Sequence, residues 1–158
     1  MPVAGVCGAY WRMTEMQAVI GRIQLKRMQE WQAARLNYAQ QIWATAKQLP
    51  GLRVADIGES FLHAAYKCYV FVEGNASLRD KIMQKINEKG VPCFSGSCSE
   101  VYLEKAFDAT GFRPKQALPN AKKLGDTSLM FLVHPTLTQA EIDKTCQVLK
   151  DVVTEFGG

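Results

Sequence analysis

The chain has 158 residues, 47% of them hydrophobic and 22% charged, and a formal net charge of +4. Such a chain can bury roughly two-thirds of its unfolded surface, which excludes a disordered, collagen-like or staple-dependent protein. The excess charge sits in one place: residues 11–50 hold six basic side chains against Glu15 and Glu30, while the remainder balances.

In chain order, the first ten residues carry no charge. With Trp11 and Arg12 they read as a poorly ordered lead-in, 1–12. Residues 13–49 read as one long helix. Thr14 and Gln17 fit a capping box, and Pro50-Gly51 ends the element. Met13, Ile20, Trp31, Tyr38, Ile42 and Leu49 return to nearly one helical angle, which predicts a buried stripe. Ala18, Leu25, Leu36 and Trp43 form a second stripe about a third of a turn away. A surface helix of a small domain needs only one, so two stripes predict contact with two bodies: a second domain, or another copy of the chain. The basic side chains between them read as a solvated helix face rather than a nucleic-acid surface.

Beyond Gly51 the pattern is mixed. Residues 66–72 (YKCYVFV) read as a central strand. Ser77 can cap a helix through Leu78, Ile82, Met83 and Ile86 that stops at Gly90. Residues 91–94 read as a short strand, and Ser99 as the start of a short helix with Leu103 and Phe107. Pro119 suits the first turn of another helix, ending near Gly125. Residues 128–133 form a second buried strand. Thr138 and Glu141 make a capping box for a last helix with Ile142, Cys146, Leu149 and Val153 on one face. The expectation is an α+β fold in a single domain over 13–158: the long helix at 13–49, then a core over 50–158 with a mainly antiparallel sheet of about three strands and helices packed on it.

The loop Cys93-Phe94-Ser95-Gly96-Ser97-Cys98-Ser99-Glu100 lies between a strand and a helix. Small residues there can turn backbone N–H groups outward, and a helix start adds partial positive charge. Ser95, Ser97 and Ser99 are therefore candidate partners for a phosphate or a polyol; the plainer reading is a turn ending in a Ser99 cap. The same dipole would favour a Cys98 thiolate. His63 and His134 are the two histidines, and neither stands in a nucleophile motif or in metal-ligand spacing with Cys93 and Cys98. No catalytic or metal-binding residue is expected from spacing alone. No phosphate-loop or dinucleotide fingerprint is present in the sequence.

Gly8-Ala9-Tyr10-Trp11-Arg12-Met13-Thr14-Glu15-Met16-Gln17-Ala18-Val19-Ile20-Gly21 resembles the opening of the C-terminal domain of the DegT/DnrJ/StrS aminotransferases. The likeness continues through Leu49-Pro50-Gly51-Leu52, Tyr66-Lys67, Gly90-Val91-Pro92-Cys93, Glu100-Val101-Tyr102-Leu103-Glu104, Thr127-Ser128-Leu129 and His134-Pro135-Thr136-Leu137-Thr138. The family comprises pyridoxal-phosphate enzymes of fold type I that aminate keto-sugars carried on nucleotides, sugars of the kind used in lipopolysaccharide and polysaccharide synthesis. The resemblance implies that the long helix joins a large cofactor domain to a small one near a dimer interface. Gly21, which costs about 1 kcal/mol relative to alanine in a helix, then becomes a close-packing point. It also implies that Arg12 lies near the cofactor and that Ser95, Ser97, Ser99 and Tyr102 lie near the sugar nucleotide. Tyr10 departs from the pattern, standing where the family has an asparagine.

None of the twelve lysines has the sequence context of the family's Schiff-base lysine, which belongs to the large domain. The expectation is a detached small domain that binds no cofactor alone and is catalytically silent. Its partner would be a second copy or a large domain, engaged through the long helix. A repurposed binding module for a phosphorylated ligand or nucleotide sugar, and one half of a split enzyme, are the alternatives.

Overall fold

The computed structural model describes residues 12–58 and 60–157. Helix α1 (Glu15–Ala46) is followed by strands β1 (Leu52–Arg53) and β2 (Cys68–Val72), helix α2 (Ala76–Glu88) and strand β3 (Cys93–Phe94). Two single 3-10 turns (Val101–Leu103 and Lys105–Phe107) lead to helix α3 (Pro119–Thr127), strand β4 (Ser128–Phe131) and helix α4 (Gln139–Gly157). The α+β class holds. The lead-in expected over 1–12 lies outside the described residues except for Arg12, which is exposed.

The sheet has four strands in the order β1-β2-β4-β3, all pairs antiparallel. The strand missing from the sequence reading is β1, whose two residues pair Leu52 with Val72 and Arg53 with Phe71. Two residues are too few to display a periodicity. Register divides the sheet into two faces. Cys68, Phe131 and Cys93 stand in one cross-strand row, all buried under the helices. Tyr69, Met130 and Phe94 form the neighbouring row on the opposite face. The helices α1, α2 and α4 pack on the first face, where Ile42, Ile86, Leu149 and Val152 complete the core.

Capping explains most helix starts. In α1 the Thr14 hydroxyl accepts from the Gln17 N–H at 3.3 Å, and the Gln17 carboxamide accepts from the Thr14 N–H at 2.9 Å. In α4 the Glu141 carboxylate takes the Thr138 N–H at 2.7 Å. The expected Ser77 cap is replaced by Asn75, whose side chain accepts from the Leu78 N–H at 3.0 Å. Gly90 ends α2 at φ +75°, the left-handed stop read from sequence.

The stripes of α1 are buried only where the helix crosses the domain. Ile42 is fully buried and the Tyr38 hydroxyl donates to the Leu137 carbonyl at 2.9 Å, but Met13 and Ile20 are exposed. The second stripe is partly covered within the chain, contrary to the expectation that Trp43 needs a partner. The Trp43 indole donates to the Tyr69 carbonyl at 3.1 Å, and its ring meets His63 edge-on at 5.5 Å. Toward the N-terminus Leu25 remains 64% exposed. Both stripes are therefore bare over the first half of a helix roughly 48 Å long.

Candidate functional site

The serine loop springs from β3, whose position is fixed from the side. The Asn87 carboxamide accepts from the Cys93 N–H at 3.2 Å and donates to the Cys93 carbonyl at 2.8 Å, which imitates a strand partner. Two residues later the Ser95 carbonyl accepts from the Ser128 hydroxyl at 2.5 Å. Buried Arg79 holds the opposing segment. Its guanidinium donates to the carbonyls of Gly125 and Ser128 at 2.9 and 3.0 Å and pairs with Asp80 at 2.7 Å. These are charge-assisted bonds in a poorly solvated place, so the loop's base is fixed to the end of α3 and the start of β4.

From that base the loop bends onto the outer sheet face. Gly96 takes φ +92°, and a Cβ there would run into the Tyr69 ring. Glycine thus serves twice, for the left-handed backbone and for the close approach. Ser97 comes to rest beside β2: its N–H donates to the Tyr69 oxygen at 3.1 Å, and its hydroxyl accepts from Tyr69 at 3.3 Å and from the Lys67 ammonium at 2.9 Å. Burial acts to raise the Tyr69 pKa, but the Ser97 hydroxyl and N–H, with the Lys67 charge, outweigh it and bring the phenol below its ordinary value. The cluster favours negative charge on an oxygen.

Lys67, Tyr69 and Ser97 line one end of a cleft of about 720 Å³ whose walls include Phe61, His63 and Tyr66. The His63 Nδ1 accepts the Ala65 N–H at 3.0 Å, which assigns the ring proton of the neutral form to Nε2. Ala65 adopts φ +46°, a strained turn just before β2 that aims Tyr66 outward and Lys67 along the cleft.

The remaining expected site residues are differently placed. Ser99 does not cap an α-helix. Two 3-10 turns follow it, neither with a side-chain cap, and its hydroxyl lies close against Gly125. Ser95, Ser97 and Ser99 line a second cleft of about 590 Å³ with Arg79 and Glu104. The Tyr102 hydroxyl donates to Glu100 at 2.6 Å and accepts from the Leu118 N–H at 3.1 Å, so it is occupied in bracing the segment before α3. Arg12 stands before α1, at the end of the helix away from the sheet.

The reading of Cys98 as a favoured thiolate is overturned. With no α-helix start there, the Glu104 carboxylate hydrogen-bonds to the thiol and raises its pKa. Burial pushes the Cys93 thiol up to about 12, and Cys68 also upward. His63 and His134 line clefts other than the one holding Cys98. Among the described residues no three His, Cys, Asp or Glu side chains converge as metal ligands, and no helix is long and apolar enough to cross a membrane.

Lys67 and Tyr69 were not among the expected site residues. Ser97 lies 28 residues beyond Tyr69, and only strand register joins them. The signal that could have found them is alternation: Lys67, Tyr69 and Phe71 share the face that is not in the core.

A sequence profile of the DegT/DnrJ/EryC1/StrS aminotransferases matches residues 3–150. The chain is 51% identical to an aminotransferase from Psychrobacter cryohalolentis, with a TM-score of 0.84 over 96% of this chain and 41% of that one. It is 26% identical over 145 residues to the erythromycin biosynthesis sensory transduction protein EryC1 of Saccharopolyspora erythraea, covering 92% of this chain and 38% of that protein. The aminotransferase TlmJ of Streptoalloteichus hindustanus, at 19% identity, shares the fold with a TM-score of 0.83 over 98% of this chain and 40% of TlmJ. The chain spans about two-fifths of the length of these relatives. It belongs to the DegT/DnrJ/EryC1/StrS aminotransferase family.

Proposed function

We propose that this chain works as the small domain of a sugar aminotransferase, seated against a pyridoxal-phosphate-binding large domain through the exposed half of α1. One observation carries the reading: Met16, Val19, Ile20, Ile23, Leu25 and Met28 are all exposed on a helix whose other half is packed into the core. Exposed apolar surface of that extent marks a contact. The chain spans about two-fifths of the relatives' length.

Pyridoxal phosphate, when bound in such an enzyme, supplies the electron sink for moving an amino group. The described residues do not form a cradle for it. No helix N-terminus lines the main cleft, and none of the twelve lysines has the sequence context of the family's Schiff-base lysine. What these residues do is position. The loop carrying Ser95, Ser97 and Ser99 offers hydroxyls to a nucleotide sugar, Tyr102 braces it, and Arg12 reaches the cofactor side at the far end of α1.

The test has two arms. With pyridoxal phosphate alone, borohydride is expected to leave no pyridoxyl group on any of the twelve lysines. Mixed with the large-domain portion of the Psychrobacter enzyme, pyridoxal phosphate and glutamate as amino donor, the chain is expected to form a complex that transfers the donor's amino group to a keto-sugar nucleotide and releases the donor as its oxo acid. A trapped adduct with turnover by the chain alone, or no complex with the large domain, would overturn the reading.

A further inference from the structure

We infer that Lys67, Tyr69 and Ser97 form a binding site for an oxyanion group, a phosphate or a carboxylate, of a small ligand whose ring lies against Phe61 and Tyr66. The inference deepens the proposed reading by assigning one end of the ligand, and rests on it only for the loop's role.

The first support is the arrangement of donors. The Lys67 ammonium, the Tyr69 phenol and Ser97 converge within hydrogen-bond distance of one another. The Ser97 N–H and the Tyr69 hydroxyl donate within the cluster, which leaves the Ser97 hydroxyl proton and the rest of the ammonium for a ligand. An ammonium presents three donors, and Ser97 uses one of them. The second support is charge. Arg35 and His134 line the adjoining groove with Lys67, and Arg35 stacks over the Tyr66 ring at 5.6 Å. Neither Lys67 nor Arg35 forms an ion pair among the described residues. The acidic side chain described in the lining of the main cleft is Asp56, which is exposed. The third support is shape. Phe61 and Tyr66 are 74% and 73% exposed at the rim of a cleft of about 720 Å³, a size suited to a small molecule. The lowered Tyr69 pKa agrees in sign, since it reports a positive local potential from the Ser97 hydrogen bonds and Lys67.

The experiment is an amide-resonance titration of the whole chain with inorganic phosphate and, separately, with glutarate, each against potassium chloride at matched ionic strength. The Ser97 resonance is expected to shift and saturate in at least one arm, and the arm that saturates identifies the oxyanion. Lys67→Met is expected to weaken that binding about tenfold or more, and Tyr69→Phe by less. The spectra themselves report whether each variant is folded. Flat titrations at Ser97 in both arms, or a folded Lys67→Met chain that binds as tightly as the parent, would overturn the site. Neither result touches pairing with a large domain, which can fail while the titration succeeds.

Discussion

Gly96 is the residue on which the loop's geometry turns. Any side chain there must occupy a left-handed backbone and displace the Tyr69 ring. Gly96→Ala is therefore expected to cost about 1–3 kcal/mol in urea unfolding and to separate Ser97 from Tyr69. An unchanged midpoint would mean that the ring moves aside freely. Tyr69 gives a second prediction at this scale. Its phenol ionises below its ordinary value when folded, so between the folded value and roughly 10 the unfolded chain holds more protons. Stability contributed by this group is absent below the folded value and rises with pH across that window. Phenolate absorbance should show an early titration that Tyr69→Phe removes. Ser97→Ala should move that titration upward, because it removes the hydroxyl that helps lower the pKa.

The cap of α2 separates two readings of one helix start. Asn75→Ala removes the acceptor for the Leu78 N–H and should cost about 1 kcal/mol, whereas Ser77→Ala, inside the first turn, should cost close to nothing. Equal losses would contradict the Asn75 cap. Both residues are good cap formers, and the sequence reading placed the cap at Ser77, two residues late. The boxes of α1 and α4 were legible because donor and acceptor lie three residues apart. The same holds for Gly90, the buried strands and the last helix, whose signals are local or periodic. β1 was not legible, because its pairing with Val72 and Phe71 depends on residues about twenty positions away. Neither was the Lys67–Tyr69–Ser97 cluster, assembled by strand register and by the Ser128 and Asn87 clamps on β3. Ser99 misled because a serine before a polar-apolar run reads equally as an α cap or as a 3-10 turn.

At the scale of the molecule, the second half of α1 packs into the core and the first half is bare among the described residues. At 100° per residue Met16, Val19, Ile20 and Ile23 share one side, while Gly21, Leu25 and Met28 lie nearly opposite, flanking a groove that reaches Tyr66. A Cβ at Gly21 would meet nothing within 4 Å, so the close packing expected of this glycine has no partner among the described residues. That supplies a test with opposite signs. Gly21→Ala should increase the helix content of the chain alone, worth about 1 kcal/mol, and should weaken its complex with a large domain or a second copy. Ile20→Lys with Ile23→Lys should abolish the complex in sedimentation while leaving the unfolding of the α+β core unchanged, because both residues are exposed and lysine is a better helix former than isoleucine. If Gly21→Ala strengthened helix and complex together, the glycine would be a weak point rather than a contact. If the lysine pair left association intact, the bare face of α1 would not be where this domain meets its neighbour.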